Sequence, residues 1–162
     1  MSAHLERETE LDRQRAARAR AAALDADRSH VLIVDDHAPS RRIYAGYLDL
    51  FDHTSKTVAG GAEALEALRR ERFHVVVINV HMDEQHGGLE TLEAIRALPA
   101  PAGETPIIGL TAVGRDDEAQ RWLGAGLAGV LPKPLTAARL FAALNSVAAS
   151  QTETARSWAP AR

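Results

Sequence analysis

Five residues in this 162-residue chain stand out for their chemistry and their positions. Asp35 and Asp36 end VLIVDD, Asn79 ends VVVIN, Thr111 ends IIGLT, and Lys133 follows in GVLPKP. Each closes or follows an apolar, largely β-branched run. The acidic pair supplies oxygen ligands and negative charge, and the lysine supplies a positive charge. The amide and the hydroxyl supply hydrogen bonds. Any one of these has a bland explanation: an acidic pair after a strand also serves as a helix N-cap or a solvated turn. The set is more informative than its members. In an open parallel sheet, ligands bind outside the carboxyl ends of the strands, so these distant residues are expected to converge on one edge.

The elements that must position them alternate along the chain. Strands are predicted at His30–Val34, Thr54–Val58, Phe73–Val80, Pro106–Thr111 and Ala128–Leu131. Helices are predicted at Pro39–Leu50, Ala62–Glu71, Gly88–Leu98, Asp116–Gly124 and Thr136–Ala148. Runs such as VVVI and IIGL are apolar at every position, which suits strands covered on both faces. Strands alternating with helices imply βαβ units and a doubly wound, mostly parallel α/β sheet. Residues 30–148 are enough chain for one such domain.

Two flanks remain. Residues 1–28 are rich in Ala, Glu, Arg and Leu and contain neither Gly nor Pro, so an extra N-terminal helix is predicted. Glu6, Glu8 and Glu10 lead, and Arg13, Arg15, Arg18 and Arg20 follow, in the order a helix macrodipole favours. Its apolar stripe is thin: Leu5, Leu11, Leu24 and intervening alanines. A helix of that kind is marginal alone. It either docks on its own domain, pairs with a second copy as a homodimer, or stays solvated and partly frayed. Residues 149–162 are polar and weakly patterned, and are expected to form a flexible tail in which Trp158 is the only large apolar group.

Composition excludes several classes. Hydrophobic residues make up 46% and charged residues 25%, as in a soluble globular protein. Aromatics are only 4%, so the core must be built from Leu, Ile and Val. The net charge of −3 gives no basic field for nucleic acid, and residues 1–30 balance six Arg against six Asp and Glu. With no cysteine, a disulfide, a thiolate metal site and a cysteine nucleophile are all excluded. No apolar run approaches the roughly 18 residues of a membrane span. The polar, acidic start is unlike a secretory signal, and a cytoplasmic location is expected.

Taken with its motifs, the stretch from about His30 to Ala148 resembles the receiver domain of two-component response regulators. The resemblance rests on VLIVDD, the GGAEAL opening of the second helix, FHVVVINVHM followed by GGLE, TPIIGLTA, and GAGLAGVLPKP. TPIIGLTA and LPKP look most like receivers attached to hybrid histidine kinases. The resemblance implies a flavodoxin-like five-stranded sheet in the order 2-1-3-4-5. It also implies roles. Asp35 and Asp36 would help hold Mg²⁺, Thr111 and Lys133 would contact phosphoryl oxygens, and an aspartate at the third strand end would be the phosphoacceptor.

That last position holds Asn79. An amide is neutral and a poor nucleophile, and no acyl phosphate forms on it, so phosphoryl transfer at the usual site is expected to be absent. Deamidation is expected to be slow because bulky Val80 follows. Asp83 lies four residues on, where the family usually has Pro, and is not expected to substitute. Two further departures agree. The loop HMDEQHGG is one residue longer than the family's, and Val130 stands where the family's rotating switch aromatic sits, three residues before Lys133. With two carboxylates facing one lysine instead of three, and with Asn79 able to donate to one of them, the pocket is expected to close without metal. No cofactor is then required, Mg²⁺ binds Asp35 and Asp36 weakly at most, and Lys133 pairs with Asp35 or Asp36. His37, His81 and His86 share this edge but fit no metal-ligand spacing.

The leading expectation is a non-enzymatic pseudo-receiver acting by protein–protein interaction with a histidine kinase, a phosphotransferase or another signalling protein. No output domain is expected after the last helix. The resemblance places the signalling surface on the fourth helix, fifth strand and fifth helix. Arg115, Arg121, Trp122 and Arg139 are its candidate contacts, with Trp122 equally able to pack beneath its helix. Two alternatives stand beside this: a degenerate receiver that binds a small nucleotide messenger through Arg115, Arg121 and Arg139, and a phosphorylatable receiver whose acceptor Asp is replaced by Asn.

Overall fold

A computed structural model describes residues 28–82, 88–112 and 116–157. The expected extension over residues 1–28 and Trp158 therefore lie almost wholly outside the described residues. In chain order the elements are β1 (His30–Val34), α1 (Ala38–Leu50), β2 (Thr54–Val58), α2 (Gly61–Arg70) and β3 (Val75–Asn79). They continue with α3 (Gly88–Arg96), a short 3₁₀ turn (Ala102–Glu104), β4 (Ile107–Thr111), α4 (Asp116–Gly124), β5 (Gly129–Pro132) and α5 (Ala137–Ser157). The strands form one five-stranded sheet in the order β2-β1-β3-β4-β5, and every pairing is parallel. This is the predicted α/β architecture and strand order.

Strand geometry sorts the core. Successive side chains on a strand point to opposite faces. Leu32, Val34, Val76, Ile78 and Ile107 thus face one way, against Ala64, Ala67 and Leu68 of α2 and Leu92 and Ile95 of α3. Val31, Ile33, Val75, Val77, Ile108 and Leu110 face the other, against Tyr44 and Leu48 of α1 and Leu140 and Leu144 of α5. Both faces of the three central strands are covered, which is why those strands are apolar at every position. The edge strand β2 is largely exposed, and its sequence TSKTV is correspondingly polar.

Geometry fixes glycine at several positions, Gly88 and Gly126 among them. Gly88 starts α3 so close to β3 that a Cβ there would lie 2.8 Å from the Val80 Cα. Gly126 follows α4 with φ +106°, and the chain reverses there through Gly126 N–H to Leu123 C=O and Leu127 N–H to Trp122 C=O bonds. Ending a helix this way favours glycine because a Cβ is strained at positive φ. Gly126→Ala is expected to cost about 1 kcal/mol in urea-induced unfolding, with no change in the transition's slope.

One boundary is corrected. The last helix was expected to end at Ala148, with a flexible tail over residues 149–162, yet α5 runs on to Ser157. The reason lies in the sequence: Gln151, Glu153, Ala155 and Arg156 are acceptable helix formers, and no Gly or Pro interrupts before Pro160. No helix among the described residues is long and apolar enough to cross a membrane.

Candidate functional site

The carboxyl ends of β1, β3, β4 and β5 bring the singled-out residues to one edge, as expected. Asp35 leaves β1 with its N–H donating to Val58 C=O at 3.1 Å, so the first residue of the pocket is tied to the edge strand. It is 1% exposed. Asp36 instead faces solvent. Asn79, the last residue of β3, and Thr111, the last of β4, are buried beside them. The Lys133 N–H donates to Thr111 C=O at 2.7 Å, which holds the β5–α5 loop against the β4 end.

Hydrogen bonds define the pocket's state. Asp35 Oδ1 accepts from the His37 N–H at 2.9 Å and from Asn79 Nδ2 at a longer 3.4 Å. Asn79 Oδ1 accepts from the His81 N–H at 3.1 Å. The amide therefore uses its donor on β1 and its acceptor on the β3–α3 loop, two bonds that a carboxylate could not make together. His37 is committed to helix capping: its Nδ1 accepts from the Ser40 N–H and meets Ser40 Oγ at 2.7 Å. The Arg41 guanidinium donates to Asp35 C=O at 2.8 Å. Tyr44 on α1 has its phenol pKa pushed up, chiefly by burial and further by the Asp35 charge, against a lowering hydrogen bond with Ser40.

One expectation fails. No ion pair joins Lys133 to Asp35 or Asp36 among the described residues. Half-buried Lys133 lines a cleft of about 500 Å³ between α1 and the β5–α5 loop, with Ile43, Tyr44, Tyr47 and Pro134. Two N–H donors serve Asp35 Oδ1 in its place. The second oxygen, Asp35 Oδ2, is buried with no hydrogen-bond partner among the described residues. A lone buried carboxylate oxygen is costly and favours a cation or a donor nearby. With exposed Asp36 it makes a hard oxygen donor set of the kind that suits Mg²⁺, so these residues fit the ion, short of one carboxylate.

The remaining candidates separate. Val130, in the expected switch position, is half-buried and packs against the α2–α3 side of the core. Trp122 packs against the same cluster. Trp122 is only half-buried there, which is compatible with either role. Arg121 and Arg139 are exposed on α4 and α5, and the Arg139 N–H is capped by Thr136 Oγ1 at 3.2 Å. Arg115, Asp83 and His86 lie outside the described residues. Among the described residues, no group of three or more His, Asp or Glu could hold a metal.

Sequence reasoning missed an apolar face on α1. Ile43 is 51% exposed and Leu50 is 73% exposed. They lie seven residues apart, hence on one face of the helix, and Ile43 borders the Lys133 cleft. The available signal was that α1 carries more apolar side chains than its buried stripe of Tyr44 and Leu48 requires.

Comparison with known proteins agrees with this architecture. A family model for the response regulator receiver domain matches residues 31–145. The chain is 35% identical over 115 residues to the sensor histidine kinase RcsC of Escherichia coli, and 34% identical over 121 residues to the sensor histidine kinase AruS of Pseudomonas aeruginosa. Those matches cover 71% and 74% of this chain but only 12% of either kinase. The chemotaxis response regulator CheY4 of Vibrio cholerae superposes with a TM-score of 0.66 at 30% identity, covering 74% of this chain and 98% of that one. A parallel sheet in this order, acidic, hydroxyl and lysine side chains at its carboxyl edge, and a family match over most of the chain converge: the chain belongs to the response regulator receiver domain family of two-component signalling.

Proposed function

We propose that this receiver domain is a pseudo-receiver. It takes part in two-component signalling by binding a histidine kinase, a phosphotransferase or another signalling protein, and it does not accept a phosphoryl group at the end of β3. The observation that carries this reading is the Asn79 amide, bonded through Nδ2 to Asp35 and through Oδ1 to the His81 N–H. An amide at this position offers no carboxylate nucleophile, and its bonds join β1 to the β3–α3 loop without a phosphate. Val130 in place of an aromatic supports the same reading, since a small β-branched side chain has no ring to move between two positions.

Mg²⁺ would be held by Asp35 Oδ2 and Asp36, and would supply charge neutralisation at this edge. With the third carboxylate replaced by a neutral amide, affinity is expected to be millimolar or weaker. Isothermal titration with MgCl₂ checks this, and a submillimolar dissociation constant would contradict it.

The exposed α1 face beside the Lys133 cleft is the surface we assign to the partner, with Arg121 and Arg139 on α4 and α5 as further contacts. The immobilised chain is expected to capture a histidine kinase or phosphotransfer protein equally well with and without acetyl phosphate. Ile43→Asp is expected to reduce that capture by about tenfold, as for a central apolar contact. Capture that requires acetyl phosphate would overturn the pseudo-receiver reading.

A further inference from the structure

At the opposite end of the sheet from the acidic pocket lies a groove of about 740 Å³. Its walls come from the α2–β3 connection, the segment around the 3₁₀ turn, and α5. Leu68, Phe73, Leu98, Ala102 and Val147 give it an apolar floor, and Arg69 and Arg72 stand exposed on its rim. We propose that residues 21–27 of this chain, AAALDAD, occupy this groove.

Three observations carry the assignment. First, the chain enters the domain at the groove: Ser29 is one of its lining residues. The entry point is also held firmly. The Ser29 N–H donates to His53 Nδ1 at 2.8 Å, the His30 N–H donates to His74 Nδ1 at 2.9 Å, and the Thr54 N–H donates to Ser29 C=O at 3.0 Å. At about 3.3 Å per residue, Leu24 lies within roughly 17 Å of chain from Ser29, which itself lines the groove.

Second, the chemistry matches. The segment offers Leu24 and four alanines to an apolar floor, and Asp25 and Asp27 to a cationic rim. The rim charges are available for it. Arg70 pairs with Glu66, and Glu71 is engaged by Lys56 at 2.8 Å and His30 at 3.1 Å. Arg69 and Arg72 make no ion pair among the described residues, and against these two arginines stands one unpaired carboxylate, exposed Glu104, so the rim stays cationic.

Third, the tether makes a weak contact sufficient. A short linker gives an effective concentration in the millimolar range, far above that of a second copy in a dilute solution. The chain's own segment therefore outcompetes a neighbour's for the same groove.

The absence of native cysteine makes a direct test clean. Ala23→Cys is combined in the full chain with Pro101→Cys on the groove wall, or with Leu50→Cys on the exposed side of α1 as a control. Intramolecular disulfide formation under mild oxidation is expected to be at least about tenfold faster for the Pro101 pair. Adding Arg69→Glu and Arg72→Glu, both exposed, is expected to reduce that advantage severalfold without altering the fold by circular dichroism. Equal rates for the two pairs, or disulfide-linked dimers as the main product, would overturn the proposal.

Discussion

Asn79→Asp is expected to supply the phosphoacceptor that the pseudo-receiver reading denies to the parent chain. The rest of the usual constellation is in place: buried Asp35, exposed Asp36, Thr111 at the end of β4, and Lys133 in the adjoining loop. The same substitution is expected to destabilise the metal-free domain by about 2 kcal/mol, because it sets a second carboxylate near Asp35 Oδ1, where the amide now donates at 3.4 Å. The pH dependence follows in sign. Repulsion raises the folded-state pKa of the new carboxyl above its unfolded value. Its protonated form is thus tolerated at acid pH, and the penalty relative to Asn79 grows as pH rises through that folded pKa. Millimolar Mg²⁺ is expected to return about 1 kcal/mol to the variant by binding the native state, and much less to the parent. Urea unfolding of both proteins, with and without MgCl₂ at two pH values, measures all of this. Equal stability of the two proteins under every condition would contradict the electrostatic account of the pocket. Because Val130 lacks a ring, phosphorylated Asn79→Asp is also expected to show a muted conformational response.

Arg96→Ala is expected to cost about 3 kcal/mol, a large loss for a side chain that touches neither the pocket nor the sheet. The Arg96 guanidinium donates to Gly103 C=O at 2.9 Å, Thr105 C=O at 2.7 Å and Gly126 C=O at 3.3 Å. One side chain at the end of α3 thereby ties together the 3₁₀ turn, the entry to β4 and the reversal after α4. Burial lowers its pKa from the usual arginine range, but an arginine in this setting stays charged at neutral pH. Removing it leaves partly buried carbonyls without a donor, and each such loss costs more than the bond's net worth. Arg96→Lys, with one compact ammonium in place of a planar fork, is expected to recover only part of the loss. Hydrogen exchange should locate the damage at residues 102–105 and 125–128. Wild-type stability of Arg96→Ala would show that these bonds are surface contacts of little weight.

What was legible in the sequence follows a physical divide. The sheet was legible because its central strands are buried on both faces, and VLIV, VVVI and IIGL carry that burial as unbroken apolar runs. The predicted limits of β1 and β2 coincide with those observed, and α4 matches as well. The polar set at the strand ends was legible because parallel topology forces those ends together. The Asn79–Asp35 bond was foreseeable, since an amide beside a carboxylate has a proton to give. Other features were not legible, because they depend on where long side chains come to rest. Lys133 has four rotatable bonds, and its local sequence does not say whether they carry the ammonium to Asp35 or to the α1 cleft. Arg96 is one arginine among many, and only the folded chain brings Gly103, Thr105 and Gly126 to it. The overshoot of α5 past Ala148 had a local cause, an absence of helix breakers, which the polar composition of the segment obscured.

The most direct test of the central claim is the intact mass of the purified chain after incubation with acetyl phosphate and MgCl₂, with Asn79→Asp treated in parallel. The account predicts no added mass on the parent chain and one added phosphate on the variant. One added phosphate on the parent chain would contradict it, for the domain would then hold a working acceptor despite the amide at the end of β3.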